Sequence, residues 1–194
     1  VHLNDRASSH FFPLICPSSK ILHIHVGFYQ KEEEHMLLPQ FFQSLDISIL
    51  EKYTDEVLKV NEKTKQYGLV LTSNEIKDMI ISRNQILYNY GRVETDISVI
   101  KELAEVFCTS PYIDNKNYQL TLNELQEIFY YMKNETEDRI SDSQLVDIIR
   151  EYFDGVCGGS LELLKSKLDE FAQRFRSDVR FRKSVFEGDE HLWD

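Results

Sequence analysis

Arg174, Arg176, Arg180, Arg182 and Lys183 fall within one ten-residue window that holds a single acid, Asp178. Cations at that density can pair with a phosphate backbone or with an acidic protein surface. The same residues also suit a solvated helix end, where positive charge complements the dipole. The interleaved Phe175, Val179 and Phe181 can equally pack on the chain's own core.

Two further residues invite chemistry. Arg83 lies seven residues after Ile76 and four before Leu87, inside the apolar stripe of a predicted helix. A charge on a buried face is costly unless paired. Arg83 is therefore expected to meet a carboxylate, with the acidic run Glu135-Thr136-Glu137-Asp138 as a source. It is either a structural ion pair or an anchor for a ligand or partner. Cys157 sits in Gly155-Val156-Cys157-Gly158-Gly159-Ser160, just before another predicted helix. Free N–H groups there could hold an anion, and the helix dipole could lower the thiol pKa. A glycine stop followed by Ser160 as N-cap explains the same residues.

Other chemistries lack their residues. From Met36 to Glu190 there is no histidine, and that body holds only Cys108 and Cys157. A Ser-His or Cys-His nucleophile system, a histidine-rich zinc site and a cysteine-only zinc site are excluded there. A calcium loop ending at Glu124 or Gln144 would place Ile113 or Lys133 where the first aspartate belongs. It would also place Tyr118 or Asp138 where the sharp turn needs glycine. No catalytic residue, metal or cofactor is assigned.

The elements that would position these residues are helices. Leu71-Thr72…Glu75-Ile76, Leu120-Thr121…Glu124-Leu125 and Ile140-Ser141…Gln144-Leu145 share one pattern. It is a hydroxyl cap, a Glu or Gln three residues on, and an apolar pair that closes over them. Apolar spacing predicts helices over 49–67, 73–90, 97–108, 121–133, 141–153 and 161–175, and Pro39 can open a shorter one through Leu45. Leu69-Val70-Leu71 and Tyr118-Gln119-Leu120 could be brief extended pieces, too short for a sheet core. The expected fold is all-α: a single domain of about six or seven helices, with consecutive helices mostly antiparallel.

The chain has 194 residues and a net charge of −11, with 42% apolar and 28% charged residues. That is a globular composition. It disfavours binding to nucleic acid or anionic lipid through the whole surface. No stretch is apolar for long enough to span a membrane. Three cysteines do not make a disulfide framework, which fits a reducing cytoplasm. Residues 1–35 differ from the rest, with five of the six histidines and two of the four prolines. Lys31-Glu32-Glu33-Glu34 before Met36 can be encoded by a purine-rich run resembling a bacterial ribosome-binding site. The expectation is a non-native or disordered extension over 1–35 and a helical domain over 36–194.

Several pieces together resemble a known family. They are Leu71-Thr72…Glu75 with Arg83, Gly91-Arg92-Val93-Glu94, and Phe107-Cys108-Thr109-Ser110-Pro111-Tyr112. Further on come Phe129-Tyr130…Lys133-Asn134-Glu135-Thr136, Ile140-Ser141-Asp142 and Cys157-Gly158-Gly159-Ser160. Over roughly residues 71–164 the chain looks like uncharacterised bacterial helical proteins that share a domain of unknown function. That resemblance implies no activity and no site. The reading is a non-enzymatic interaction or regulatory module with a protein partner. A ligand-binding protein or enzyme using carboxylates and Arg83, and a nucleic-acid contact through 174–183, are the alternatives.

Overall fold

Five of the described helices begin where a polar side chain takes up free N–H groups of the first turn. A computed structural model describes residues 47–187. It contains α1 (Ile47–Leu58), the short α2 (Asn61–Thr64) with a 3-10 turn after it (Lys65–Tyr67), α3 (Ser73–Asn89), α4 (Ser98–Phe107), α5 (Tyr118–Glu135), α6 (Asp142–Asp154), α7 (Leu161–Ser177) and α8 (Val179–Glu187). Among the described residues there is no strand. The fold is all-α, with seven longer helices and one short turn of helix.

At α3 the capping box is complete. Thr72 Oγ1 accepts from the Glu75 N–H at 3.3 Å, and the Glu75 carboxylate accepts from the Thr72 N–H at 2.7 Å. Ser141 and Ser160 each accept one backbone N–H at 3.3 Å, opening α6 and α7. Asp96 accepts from the Ser98 N–H at 3.0 Å before α4. Asp178 accepts from the N–H groups of Arg180 and Phe181 before α8.

Three antiparallel hairpins, α1/α3, α4/α5 and α6/α7, stack side by side. The second members form one row. Arg83 on α3 reaches Tyr130 on α5 at 3.2 Å, and Tyr131 on α5 reaches Asp169 on α7 at 2.6 Å. The first members form the other row. Lys101 on α4 faces Glu56 on α1 at 3.8 Å, and Phe107 on α4 meets Phe153 on α6 at 5.5 Å between ring centres. The core lies between the rows. α5 is central, and Leu122, Leu125, Phe129, Tyr130 and Met132 are all fully buried on it. α8 packs on α7 through Phe181 against Phe171 and Phe186 against Phe175.

Several boundaries differ from the sequence expectation. Thr121 is not a cap: α5 starts at Tyr118 and Thr121 is buried inside it. The start is set by an Asp114 turn, whose carboxylate accepts the N–H groups of Lys116 and Asn117, and by burial of Tyr118. Tyr118-Gln119-Leu120 is therefore helical rather than extended. The helix expected over 49–67 ends at Leu58, and the chain re-enters helix at Asn61. There the Asn61 amide grips both backbone groups of Leu71, at 2.8 and 2.9 Å. The basic window is split between α7 and α8 at Asp178. The short helix expected after Pro39 and the 1–35 extension lie outside the described residues.

Candidate functional site

The polar groups of the second-row helices converge at one end of the stack, where α3, α5 and α7 finish. Gly91, at φ +64°, turns the chain back after α3, so residues 92–96 run under the end of α5. Arg83 is buried there with 2% of its surface exposed. Its Nε donates to the Tyr130 hydroxyl at 3.2 Å and its Nη1 to Asn84 at 3.1 Å. Its Nη2 donates to the carbonyls of Glu94 and Asp96 and lies 3.7 Å from the Glu94 carboxylate. The partner is thus Glu94, eleven residues on, and not the acidic loop at 135–138.

Glu94 is the hub of a wider network. Its carboxylate also lies 3.1 Å from Lys133 and 3.4 Å from Arg92, and it accepts from Tyr130 at 3.1 Å. Arg92 clamps Asp138 through two nitrogens, at 2.6 and 3.1 Å, and Lys133 meets Asp142 at 2.8 Å. Three cations face three carboxylates, so the cluster is close to neutral. The hydrogen bond from Arg92 holds the Asp138 carboxyl below the usual carboxylate range. Burial holds the Tyr130 phenol in its protonated form far into alkaline pH. It can therefore donate to Glu94 while accepting from Arg83.

Beside the loop that joins α5 to α6 is a cleft of about 100 Å³, lined by Glu135, Thr136, Glu137, Arg139, Phe175, Arg176 and Arg182. Arg176 pairs with Glu135, and Arg139 pairs with Glu137 at 2.6 Å. Arg182 lies 5.9 Å from the Phe175 ring and has no carboxylate partner among the described residues. Glu137 and Asp138 both have positive φ, +56° and +57°. That conformation is unfavourable for residues with a side chain. Here it occurs in a loop whose Glu137 and Asp138 carboxylates are each tied to an arginine.

The basic window thus divides by role. Arg176 and Arg182 line the cleft. Arg174 stacks over Phe181 at 4.2 Å, Lys183 faces Glu187 at 3.4 Å, and Arg180 points to solvent on α8. Phe175 and Phe181 are 2% and 5% exposed, so they belong to the core. Val179 and Phe186 are the exposed apolar residues of α8. Arg83 is not part of the cleft. The cleft residue Arg139 carried no signal in the sequence, and Glu137 stood out only in the acidic run expected to meet Arg83, because both join the window only when α5 and α7 end side by side.

Cys157 is placed apart from both clusters. It is 4% exposed, and burial pushes its thiol pKa up, the reverse of activation. The glycines around it seat Tyr112. A Cβ on Gly159, at φ +82°, would fall 2.5 Å from the Tyr112 side chain. Among the described residues no three His, Cys, Asp or Glu side chains are grouped to hold a metal ion.

These features define an all-helical domain of stacked hairpins, with a part-buried ion network and a cationic cleft at one end. The chain belongs to a family of unknown function, DUF6323, whose match spans residues 56–181. No curated protein and no solved structure matches it. The family match takes in α3 to α7 whole and the start of α8. No helix among the described residues is long and apolar enough to cross a membrane.

Proposed function

We propose that this protein is a non-enzymatic interaction or regulatory module that engages a protein partner through its cationic end. One observation carries the reading: every guanidinium nitrogen of Arg83 is already engaged by the protein. The buried cation best suited to anchoring a small molecule is thus occupied in holding the fold together. The exposed cations Arg174, Arg176, Arg180 and Lys183 gather instead on α7 and α8. Nucleic acid is the weaker partner. Single-strand binding relies on aromatic faces for stacking, and Phe175 and Phe181 are buried. The net charge of −11 opposes a long polyanion.

The test is crosslinked affinity capture with the wild-type chain and with an Arg180→Glu, Lys183→Glu variant. A protein retained by the first and lost by the second is expected. A thermal-shift screen of metabolites runs beside it. A metabolite that raises Tm in the wild type and not in Arg83→Met would overturn the reading in favour of ligand binding. A single-stranded oligonucleotide captured in place of protein, and lost in the double variant, would move it to nucleic acid.

A further inference from the structure

We infer that the cleft between the α5–α6 loop and α7–α8 is an anchor pocket for a carboxylate side chain from an acidic segment of the partner. The inference rests on the interaction reading above and names the chemistry of the partner at that surface. Three guanidinium groups, Arg139, Arg176 and Arg182, meet two carboxylates, Glu135 and Glu137. Among the described residues one positive charge, that of Arg182, has no carboxylate partner beside a cavity of about 100 Å³ that Phe175 helps to line. Such a cavity has room for a carboxylate group and the carbon that bears it. An arginine fork matches a carboxylate in two parallel hydrogen bonds.

The resident Arg139–Glu137 pair is easy to exchange. The side chains of Arg139 and Glu137 are 47% and 64% exposed. Exposed pairs of this kind contribute little to stability. An incoming carboxylate can take an arginine from Glu137 while that glutamate turns to water. The cleft already accepts carboxylates at Arg139 and Arg176, so the guest replaces like with like. A phosphate dianion carries twice the charge into a wall that includes Glu135 and Glu137, with Asp138 beside them. The neighbouring surface also suits a chain better than a small ion. Phe186 abuts Phe175 and is 49% exposed, and Arg180 and Lys183 lie on the same helix, α8. An acidic segment can seat one carboxylate in the cleft, an apolar neighbour on Phe186 and further acids along α8.

The experiment follows the arginine Nε–Hε resonances of the full chain by NMR during titration with a capped hexaglutamate peptide, and separately with inorganic phosphate. Saturable shifts are expected at Arg139, Arg176 and Arg182 with the peptide. Arg182→Gln should weaken the peptide by about tenfold or more, as loss of a charge-assisted pair does. Arg139→Gln, at a more exposed position, serves as the second variant should the first lose its fold. Shifts that never saturate, or that fall equally on Arg174 and Arg180, would overturn the pocket. Phosphate saturating the same resonances at lower concentration than the peptide would overturn the assignment to a protein carboxylate. Repeating the partner capture with Arg182→Gln separates the two readings. Retention of the partner by this variant, with loss in the Arg180 and Lys183 variant, refutes the pocket and leaves the interaction module standing. No specific partner with either chain, despite saturable peptide binding, refutes the module and leaves the pocket.

Discussion

Arg83 is a buried charge whose environment was built around it, and the cost of removing it follows from what stays behind. Arg83→Met leaves the backbone carbonyls of Glu94 and Asp96 without their donor and removes one of the three cations around the Glu94 carboxylate. Leaving a buried acceptor unsatisfied typically costs about 1–3 kcal/mol. Arg180→Met, at an exposed position, is expected to change stability by no more than about 0.5 kcal/mol. Urea denaturation of the two variants measures the contrast, and equal midpoints would mean that the network is loose. Gly159 gives a second residue-scale expectation. Gly159→Ala forces a Cβ against Tyr112 and strains a backbone at φ +82°. It should destabilise by roughly 1–3 kcal/mol. Tyr112→Ala should remove only the steric part, which a double-mutant cycle isolates.

At the scale of elements, capping separates hydroxyl residues that look alike in sequence. Thr72 and Ser141 accept the first-turn N–H groups of α3 and α6. Replacing either with Ala should cost about 0.5–2 kcal/mol. Thr121 lies inside α5, so Thr121→Ala should cost clearly less, because Ala is the better helix former there. Equal losses of Tm for all three would contradict the cap assignments. Helix bounds are legible in sequence where several local signals coincide. Around Thr72, Ser141 and Ser160 a cap, a glycine stop and an apolar stripe agree, and the helix bounds follow to within a residue or two. At Thr121 the cap pattern is outweighed by burial of Tyr118, whose hydroxyl reaches the Ala104 carbonyl at 3.1 Å. At Asn61 the helix is interrupted where a side chain grips Leu71, ten residues away. Both are contacts across the fold, which local spacing does not encode. The burial of Arg83 was legible from its phase. Its carboxylate was not, because the turn at Gly91 decides which acid returns to it.

For the molecule as a whole, stability should fall at both extremes of pH and stay level between them. The Asp138 carboxyl is held low by its hydrogen bond from Arg92, and that of Asp96 by those from Ser98. Their contribution is complete above the unfolded value, about pH 4, and is lost as pH falls through the lower folded values. Burial, with the hydrogen bond to Asp169, pushes the Tyr131 phenol up to about 12. Its contribution is complete below about pH 10 and is lost as pH climbs through the folded value. From Met36 to Glu190 there is no histidine to titrate between. Thermal melts from pH 3 to pH 12 test this, and a sharp step between about pH 6 and 8 would contradict it. Stacked hairpins also have open ends, as the repeats of a solenoid do. α8 lies across the last of them and covers Phe171 and Phe175, the apolar edge to which one more hairpin could add. A chain stopped after Ser177 would present that edge to its neighbours and should self-associate as its concentration rises. Light scattering that finds it monomeric throughout would refute the idea. The helix that turns its positive charge outward covers, on its inner face, the aromatic edge at which the stack would otherwise stay open.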